Sequence, residues 1–600
     1  MLQVIRHRGP DGEGYYVSSD QPVWLGHRRL AVIDIDGGIQ PMSNETGDIH
    51  VVFNGEIYNH RQLRKDLEAA GHRFRSSHSD TEVLVHGYEE WGDNLPSKLN
   101  GMFAFAIYDE KRNRLFASRD RFGKKPFFYA DWPGGFAFSS EITSLLLHPA
   151  IDRAPDERAL MKYFAYALFP APHTPYCGIR KLPAGHSLVY ALGEEPAKIS
   201  RYWSYAIQPE DDDGPEAEAR LAEELRALLL ASVECRLESD VPIGVLLSGG
   251  IDSSAIVALA ARARPAEKIR TFSIAFEDES FDESGYARFV GNHFGTDHKE
   301  KIFNLDSAMA NLPDLLSRLD EPLGDSSILP THLLCEFARA DVTVALGGDG
   351  GDEMFAGYDP FKALSASQAY RRYCPRPLHP AIEALANRLP VSDENMSLEF
   401  KLKRWLRGVG HRPALWGPIW MGALPPHEIT ELFDREIDIE DIYSEAIECW
   451  DDCASDQIVD RLSEFFVRFY LQDGVLLKSD RASMLSSLEL RSPFLDLDLV
   501  EFSRKLPATM KFRNGETKYI LKKALNGLIP DTILYRRKKG FGIPLAKFLR
   551  GISPVEITSS TKIPFTQSNK IETMWAAHQD RKADYRHALW ACMTLQGRFE

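Results

Sequence analysis

The chain has 600 residues, 44% of them hydrophobic and 26% charged, with a formal net charge of −16. At about 100–200 residues per domain, that length exceeds a single core and points to two or more domains. The acidic balance argues against nonspecific nucleic-acid binding, which needs a cationic surface, but leaves room for an anionic small molecule held by local cations. Seven cysteines without paired spacing argue against a disulfide framework and for a reducing cytoplasm. No apolar run approaches the ~18–20 residues of a membrane span, and the first residues lack a signal-peptide core.

In chain order, the first half reads as short strands around 51–53, 102–108 and 115–118 with two helices, 61–70 and 80–91. Gly71 suits a helix C-cap, and Asn54-Gly55 reads as a hairpin turn. This pattern predicts a layered α+β domain. The acidic segment 209–216, PEDDDGPE, reads as a linker. Beyond it, helix 217–237 leads to an apolar strand at 243–247, with further strands at 270–276 and 342–346. Strands alternating with helices predict a parallel sheet covered on both faces. From about 360 onward the chain reads as mostly helical. The expected division is 1–195, a linker at 196–216, and 217–600.

Ser248-Gly249-Gly250-Ile251-Asp252-Ser253-Ser254 sits between a buried strand and an apolar helix. Two glycines allow close backbone approach, and free N–H groups at a helix start favour an anion. Ser248, Ser253 and Ser254 add hydroxyl donors, and Asp252 implies a Mg²⁺ bridge to phosphate oxygens. The string is neither a Walker A loop nor a GxGxxG loop, and it resembles the pyrophosphate loop of the ATP pyrophosphatases. A second Gly/acid loop, 347–353 (GGDGGDE), follows the third strand and is expected to face the first. The basic run 535–544, YRRKKGFGIP, offers Lys538 to a departing pyrophosphate. The segments 478–481 and 488–496 mix charge with apolar residues, which predicts a buried ionic framework with Glu489 and Arg491 as supports.

SGGIDSS, LDEPLGDSS (319–327), GGDGGDE, LELRSPFLD (488–496) and RRKKGFGIP occur in that order. Together they resemble the synthetase domain of the class B, glutamine-hydrolysing asparagine synthetases. HRGPDGEG (7–14), GHRRLAVID (26–34), FNGEIYN (53–59), HSDTE (78–82) and RDRFGKKP (119–126) resemble its glutaminase partner. The resemblance covers nearly the whole chain. It implies an α+β glutaminase-like layered sandwich followed by an α/β ATP-pyrophosphatase (PP-loop) domain with a helical C-terminal part. It also implies that Arg29, Asn54, Gly55, Glu56 and Asp80 line a glutamine pocket, with Asn54 and Gly55 as an oxyanion hole. Leu247, Ile274, Gly347 and Gly348 would contact ATP, together with Ser248, Gly249, Gly250, Ser253 and Ser254 of the phosphate loop. Asp252 and Asp352 would hold Mg²⁺, Asp349 would help form an acyl-adenylate, and Lys538 would meet pyrophosphate. Family members usually carry serine where Gly347 stands, and some carry glutamate where Asp349 stands.

The larger departure is a missing nucleophile. In the family, a cysteine just after the initiator methionine attacks glutamine and starts a strand well ahead of HRGPDG. Here six residues precede His7, none is cysteine, and Cys177 is the first cysteine. Either the chain starts at an internal methionine, or strand and nucleophile are lost together and the glutaminase half is vestigial. The expected reaction is aspartate + ATP + ammonia or glutamine to asparagine + AMP + pyrophosphate, with ammonia the usable donor for the chain as written. Two other readings are adenylation of another carboxylate with an internal or external amine acceptor, and a degenerate nucleotide-binding regulator. The expected partners are small molecules, without nucleic acid or membrane, in a cytoplasmic protein for which the resemblance implies a homodimer.

Overall fold

The structure is a computed structural model describing residues 1–194, 196–210, 214–304, 309–394, 396–536, 540, 542–552 and 562–599. Lys538 and part of the acidic linker lie outside the described residues.

A six-stranded antiparallel sheet organises the first half. Its strands are β3 (Met42–Ser43), β4 (Ile49–Ile57), β5 (Gly101–Asp109), β6 (Arg114–Arg119), β10 (His186–Ala191) and β11 (Lys198–Arg201), in the order β11-β10-β6-β5-β4-β3. Side chains alternate between its two faces with period two. Val51, Phe53, Phe103, Phe105 and Ile107 pack with Leu63, Leu67, Leu84 and Tyr88 of helices α1 (His60–Ala70) and α2 (Glu82–Trp91). Val52, Ala104, Ala106 and Tyr108 face the other way, toward Leu25, Phe127 and Tyr129. That second layer consists of β1 (Gly12–Val17) paired with β2 (Trp24–Arg29), and separately of β8 (Gly135–Ser139), β7 (Phe128–Trp132) and β9 (Arg180–Lys181). A cavity of about 1010 Å³ opens between the edges of β2 and β8, over the six-stranded sheet.

Both expected helices form, and Gly71 ends α1 with φ +106° as a left-handed cap. The hairpin expected at Asn54-Gly55 does not form. Both residues lie inside β4, opposite Ala104 and Phe103, because the strand stays paired through Ile57 and Gly101. Glycine is required at 55 for a different reason. Its φ is +148°, and a Cβ there would lie 1.9 Å from the Met102 carbonyl oxygen.

The second half begins with helix α3 (Pro215–Arg236) and carries a five-stranded, fully parallel sheet. Its strands are β12 (Ile243–Leu246), β13 (Arg270–Phe276), β14 (Asp297–Phe303), β15 (Val344–Leu346) and β16 (Glu489–Arg491), in the order β14-β13-β12-β15-β16. Helix α4 (Ile251–Ala263) follows β12, and α5 (Ile328–Arg339) precedes β15. Beyond residue 350 the described elements are helices apart from β16 and a short hairpin, Phe512–Arg513 with Glu516–Thr517.

The expected ionic framework exists and joins the two halves. Arg491 is fully buried, donating to Glu489 at 2.9 Å and to Glu56 of the first half at 3.0 Å. Arg8 forks onto both carboxylate oxygens of Asp480 at 2.9 Å. Arg236 meets Asp496, Arg481 meets Asp320, and Lys181 meets Glu321, all among buried side chains. Paired guanidinium–carboxylate contacts of this kind limit the cost of burying charge. Lys124 reaches across to the Leu495 carbonyl at 3.0 Å, and burial with nearby Arg236 pulls its ammonium down to about 7.

Candidate active site

The two loops chosen from sequence follow adjacent parallel strands, β12 and β15, and therefore face each other at the carboxyl end of the sheet. Gly249 turns with φ +70°, and a Cβ there would meet the Tyr286 Cβ at 2.6 Å, so the loop needs glycine at this point. Gly250 caps α4 with extended backbone, which leaves the amides of the helix start turned outward. Ser248 and Ser253 hydroxyls lie 3.2 Å apart, and Ser248 Oγ accepts from the Gly250 amide. The Ser254 hydroxyl is buried without a hydrogen-bond partner. Leu247, directly after β12, and Ile274, within β13, are both buried. A Cβ at Gly348 would come within 3.0 Å of Asp252 Cβ, which measures how closely the loops approach. At Gly347 a Cβ would find only ordinary contacts with Leu490 at 3.5 Å, so packing alone does not demand that glycine.

Asp252 and Asp352 converge on one cation, Lys518. Its ammonium lies 2.6 Å from Asp252 Oδ1 and 2.7 Å from Asp352 Oδ1. Burial works against its charge, but Asp252 and Asp352 outweigh that and hold its pKa above the ordinary lysine value. Lys518 adopts φ +57°, a left-handed conformation that is costly for a residue with a Cβ. It also occupies the cap at the start of helix Tyr519–Leu525, where the helix dipole disfavours a cation. Two unfavourable local choices at one residue mark a position fixed by its partners. Sequence reasoning missed Lys518, although a lysine at a helix start was the available signal.

Asp349 faces a small cavity shared with Lys124, Lys125, Ser479 and Ser492. Its Oδ2 is buried without a hydrogen-bond partner. Burial pushes its carboxyl up, Ser479 and Lys478 pull it down, and Asp252 and Asp352 add to the rise. Lys478 itself bonds Asp325 and Ser327, both at 2.9 Å, which brings the 319–327 motif to this site. Glu353 is pushed up to about 7 by burial and Asp352, and the Tyr358 hydroxyl donates to it.

The basic run also reaches the phosphate loop, through Arg536. Its guanidinium stacks 4.5 Å over the Tyr286 ring and pairs with Glu283 at 2.8 Å. One of its nitrogens lies 3.7 Å from where a Gly250 Cβ would stand, and Nη1 is buried without a hydrogen-bond partner. Sequence reasoning selected Lys538 from this run and passed over Arg536.

In the first half, Arg29, Asn54, Gly55, Glu56 and Asp80 all line the 1010 Å³ cavity. Asn54 Nδ2 is a buried donor without a partner, as an oxyanion site requires. Arg29 turns its terminal nitrogens to the Ile33, Asp34 and Ile35 carbonyls, so its fork is already engaged. Asp80 accepts from the Ile57 amide at 3.0 Å, and burial with nearby Glu489 raises its carboxyl to about 6. Glu56 reaches out of the cavity to Arg491; burial and Asp80 push its pKa up while Arg491 opposes them. None of the seven cysteines borders the cavity, whose lining includes Met1 and Leu2.

Comparison with known proteins matches a family model to each half of the chain. Residues 224–599 match the asparagine synthase family and residues 1–203 match a glutamine amidotransferase domain. Asparagine synthetase [glutamine-hydrolyzing] 1 of Bacillus subtilis is 33% identical, over 92% of this chain and 84% of its own length. A putative asparagine synthetase [glutamine-hydrolyzing] of Mycobacterium bovis is 32% identical over 98% of this chain and 91% of its own. A putative asparagine synthetase [glutamine-hydrolyzing] 2 of Methanocaldococcus jannaschii is 33% identical over 82% of this chain and 96% of its own. With paired phosphate-loop and carboxylate-loop geometry in one half and a glutaminase-like sandwich in the other, this chain belongs to the asparagine synthetase family.

Proposed function

We propose that the chain is an ATP-dependent carbon–nitrogen ligase that makes asparagine from aspartate through an acyl-adenylate. The convergence of Asp252, Asp352 and Lys518 beside the phosphate loop carries this reading. The aspartate side-chain carboxylate attacks the α-phosphorus of ATP. A C–O–P bond forms, the bond from Pα to the bridging oxygen breaks, and that oxygen leaves with pyrophosphate. Ammonia then attacks the acyl carbon, loses a proton, and AMP departs with the former carboxylate oxygen.

The phosphate-loop amides with Ser248 and Ser253 suit the phosphates, and Leu247, Ile274, Gly347 and Gly348 suit the nucleotide. Arg536 and Lys538 are the cations for developing charge on pyrophosphate, and Lys518 supplies another. Asp349, with an unpaired carboxylate oxygen, suits a role beside the reacting carboxylate. The all-oxygen pair of Asp252 and Asp352, already converged on one positive charge, fits a hard divalent cation, and these two residues would hold Mg²⁺. When bound, Mg²⁺ would neutralise charge on the phosphate oxygens.

Arg29, Asn54, Gly55, Glu56 and Asp80 form the glutamine-side pocket in this reading. With no cysteine on that pocket, the 600-residue chain should draw on ammonia rather than glutamine. The division at 1–195, 196–216 and 217–600 stands as the proposed domain organisation. No helix among the described residues is long and apolar enough to cross a membrane. A cytoplasmic enzyme of small molecules, acting as a monomer or homodimer, fits this reading. The test is product identity with purified chain, ATP, Mg²⁺ and aspartate. AMP, pyrophosphate and asparagine are expected in equal amounts with ammonium chloride, and none above background with glutamine. ADP and phosphate as products, or full glutamine-dependent turnover, would refute the respective halves of the proposal.

A further inference from the structure

Away from both centres, four metal-ligating side chains meet on the outer face of the first half. Glu45 lies in the β3–β4 connection, His72 follows α1, and His86 and Glu89 share one turn of α2. One donor atom from each falls within 4.8 Å of the others. His86 Nδ1 lies 3.0 Å from Glu45 Oε2 and 3.5 Å from Glu89 Oε2. His72 Nδ1 lies 3.6 Å from Glu45 Oε1 and 3.7 Å from Glu89 Oε2. A tetrahedral ion with bonds of about 2.0–2.1 Å needs donors about 3.3–3.4 Å apart, close to these four separations, in which Glu45 presents Oε2 to His86 and Oε1 to His72.

A second observation points to a ligand. His86 is 0% exposed, yet its Nδ1 and the facing Glu45 Oε2 are both buried without a hydrogen-bond partner. Their short separation is therefore not a formed hydrogen bond. The surroundings fix these donors inward. Glu82 stands 3.4 Å behind His86 Nε2, so a proton on Nε2 leaves the Nδ1 lone pair facing the cluster. Asn44, fully buried, donates to Glu89 Oε1 at 2.9 Å and leaves Oε2 for the centre.

We propose that Glu45, His72, His86 and Glu89 form a structural binding site for a divalent transition metal of the zinc class. Two imidazoles and two carboxylates make a closed, neutral four-ligand set for such an ion. The metal ties three chain segments together. It also secures α2, whose first residue, Glu82, accepts from the Arg75 and Ser76 amides and follows the pocket residue Asp80 by two positions. The role is to brace one wall of the glutamine-side cavity.

The experiment uses the full chain, stripped with EDTA, dialysed, and titrated with zinc chloride in a calorimeter, with melting temperature read in parallel. The expected result is one Zn²⁺ per chain with submicromolar affinity and a rise in melting temperature of several degrees. His72→Ala and Glu89→Gln, at partly exposed positions, should each weaken binding at least 100-fold and abolish the thermal shift. His427→Ala, at an exposed histidine elsewhere, should bind as the wild type does. Ammonia-dependent AMP formation, housed in the other half, should be the same in all of them. No saturable zinc binding by the wild type would overturn the proposal. So would unchanged binding in both site variants, and the cluster would then be an imidazolium–carboxylate network.

Discussion

Replacing Lys518 with alanine should reduce aspartate-dependent AMP formation by at least about 10²–10³-fold, the usual cost of removing one preorganised charge from a transition state. The geometry gives the reason. Lys518 is the cation on which Asp252 and Asp352 converge, and both carboxylates border the phosphate loop. Without it, one of the positive charges that offset these two carboxylates against the ATP phosphates is lost. The same substitution should lower the stability of the ligand-free protein by about 3–5 kcal/mol, because removing one partner from a buried ion cluster leaves charge unpaired. Added Mg²⁺ should return part of that stability in the variant and much less in the wild type, since the two carboxylates are then open to the ion. Steady-state AMP assays and melting curves across a Mg²⁺ series read both effects. Wild-type turnover in Lys518→Ala would remove this residue from the reaction.

Replacing Arg491 with methionine should destabilise the protein by about 3–5 kcal/mol while preserving side-chain bulk. Arg491 is wholly buried and divides its guanidinium between Glu489 and Glu56, one carboxylate from each half of the chain. It also donates to the Arg236 and Glu238 carbonyls at 3.0 and 2.6 Å. Its loss strands two buried acids and two carbonyls at the junction. Adding Glu56→Gln and Glu489→Gln to the same chain should recover part of the loss, since neutral amides no longer need the missing charge. Denaturant unfolding of the single and triple variants measures the difference. Additive losses across the three substitutions would show that the groups act independently and that Arg491 does not unite the halves.

Sequence and structure agree where local chemistry was dictated locally. The loop 248–254 had to turn between an apolar strand and an apolar helix, and Gly249 does so with φ +70°. Glu489 and Arg491 were legible as supports because charged residues embedded in an apolar run must find partners. Their strand was not legible, since three residues of alternating charge carry no usable β pattern. The edge strand Asp297–Phe303 escaped for a related reason: its sequence, DHKEKIF, is polar, as an exposed edge tolerates. Asn54-Gly55 misled because the dipeptide favours a two-residue turn in isolation, whereas tertiary pairing with Ala104 and Phe103 keeps the strand running.

The site was only half legible for a different reason. Lys518 lies 266 residues from Asp252 in the chain, and only the fold brings them together. Nothing in the run GETKYILKK distinguishes that lysine except its place at a helix start. Likewise, Arg536 differs from its basic neighbours only in stacking on Tyr286, a contact that no spacing rule anticipates. Conversely, Arg29 was placed by resemblance on the wall of a glutamine pocket; it lines the cavity, but the structure turns its donors to the 33–35 carbonyls.

The most direct test of the synthetase chemistry follows oxygen. Aspartate labelled with ¹⁸O in its side-chain carboxylate is incubated with the purified chain, ATP, Mg²⁺ and ammonium, and the nucleotide and phosphate products are analysed by mass spectrometry. Attack on the α-phosphorus predicts one ¹⁸O in each AMP, one retained in asparagine, and none in pyrophosphate. Label appearing in inorganic phosphate alongside ADP would mean activation at the terminal phosphorus and would contradict the acyl-adenylate assigned to this site.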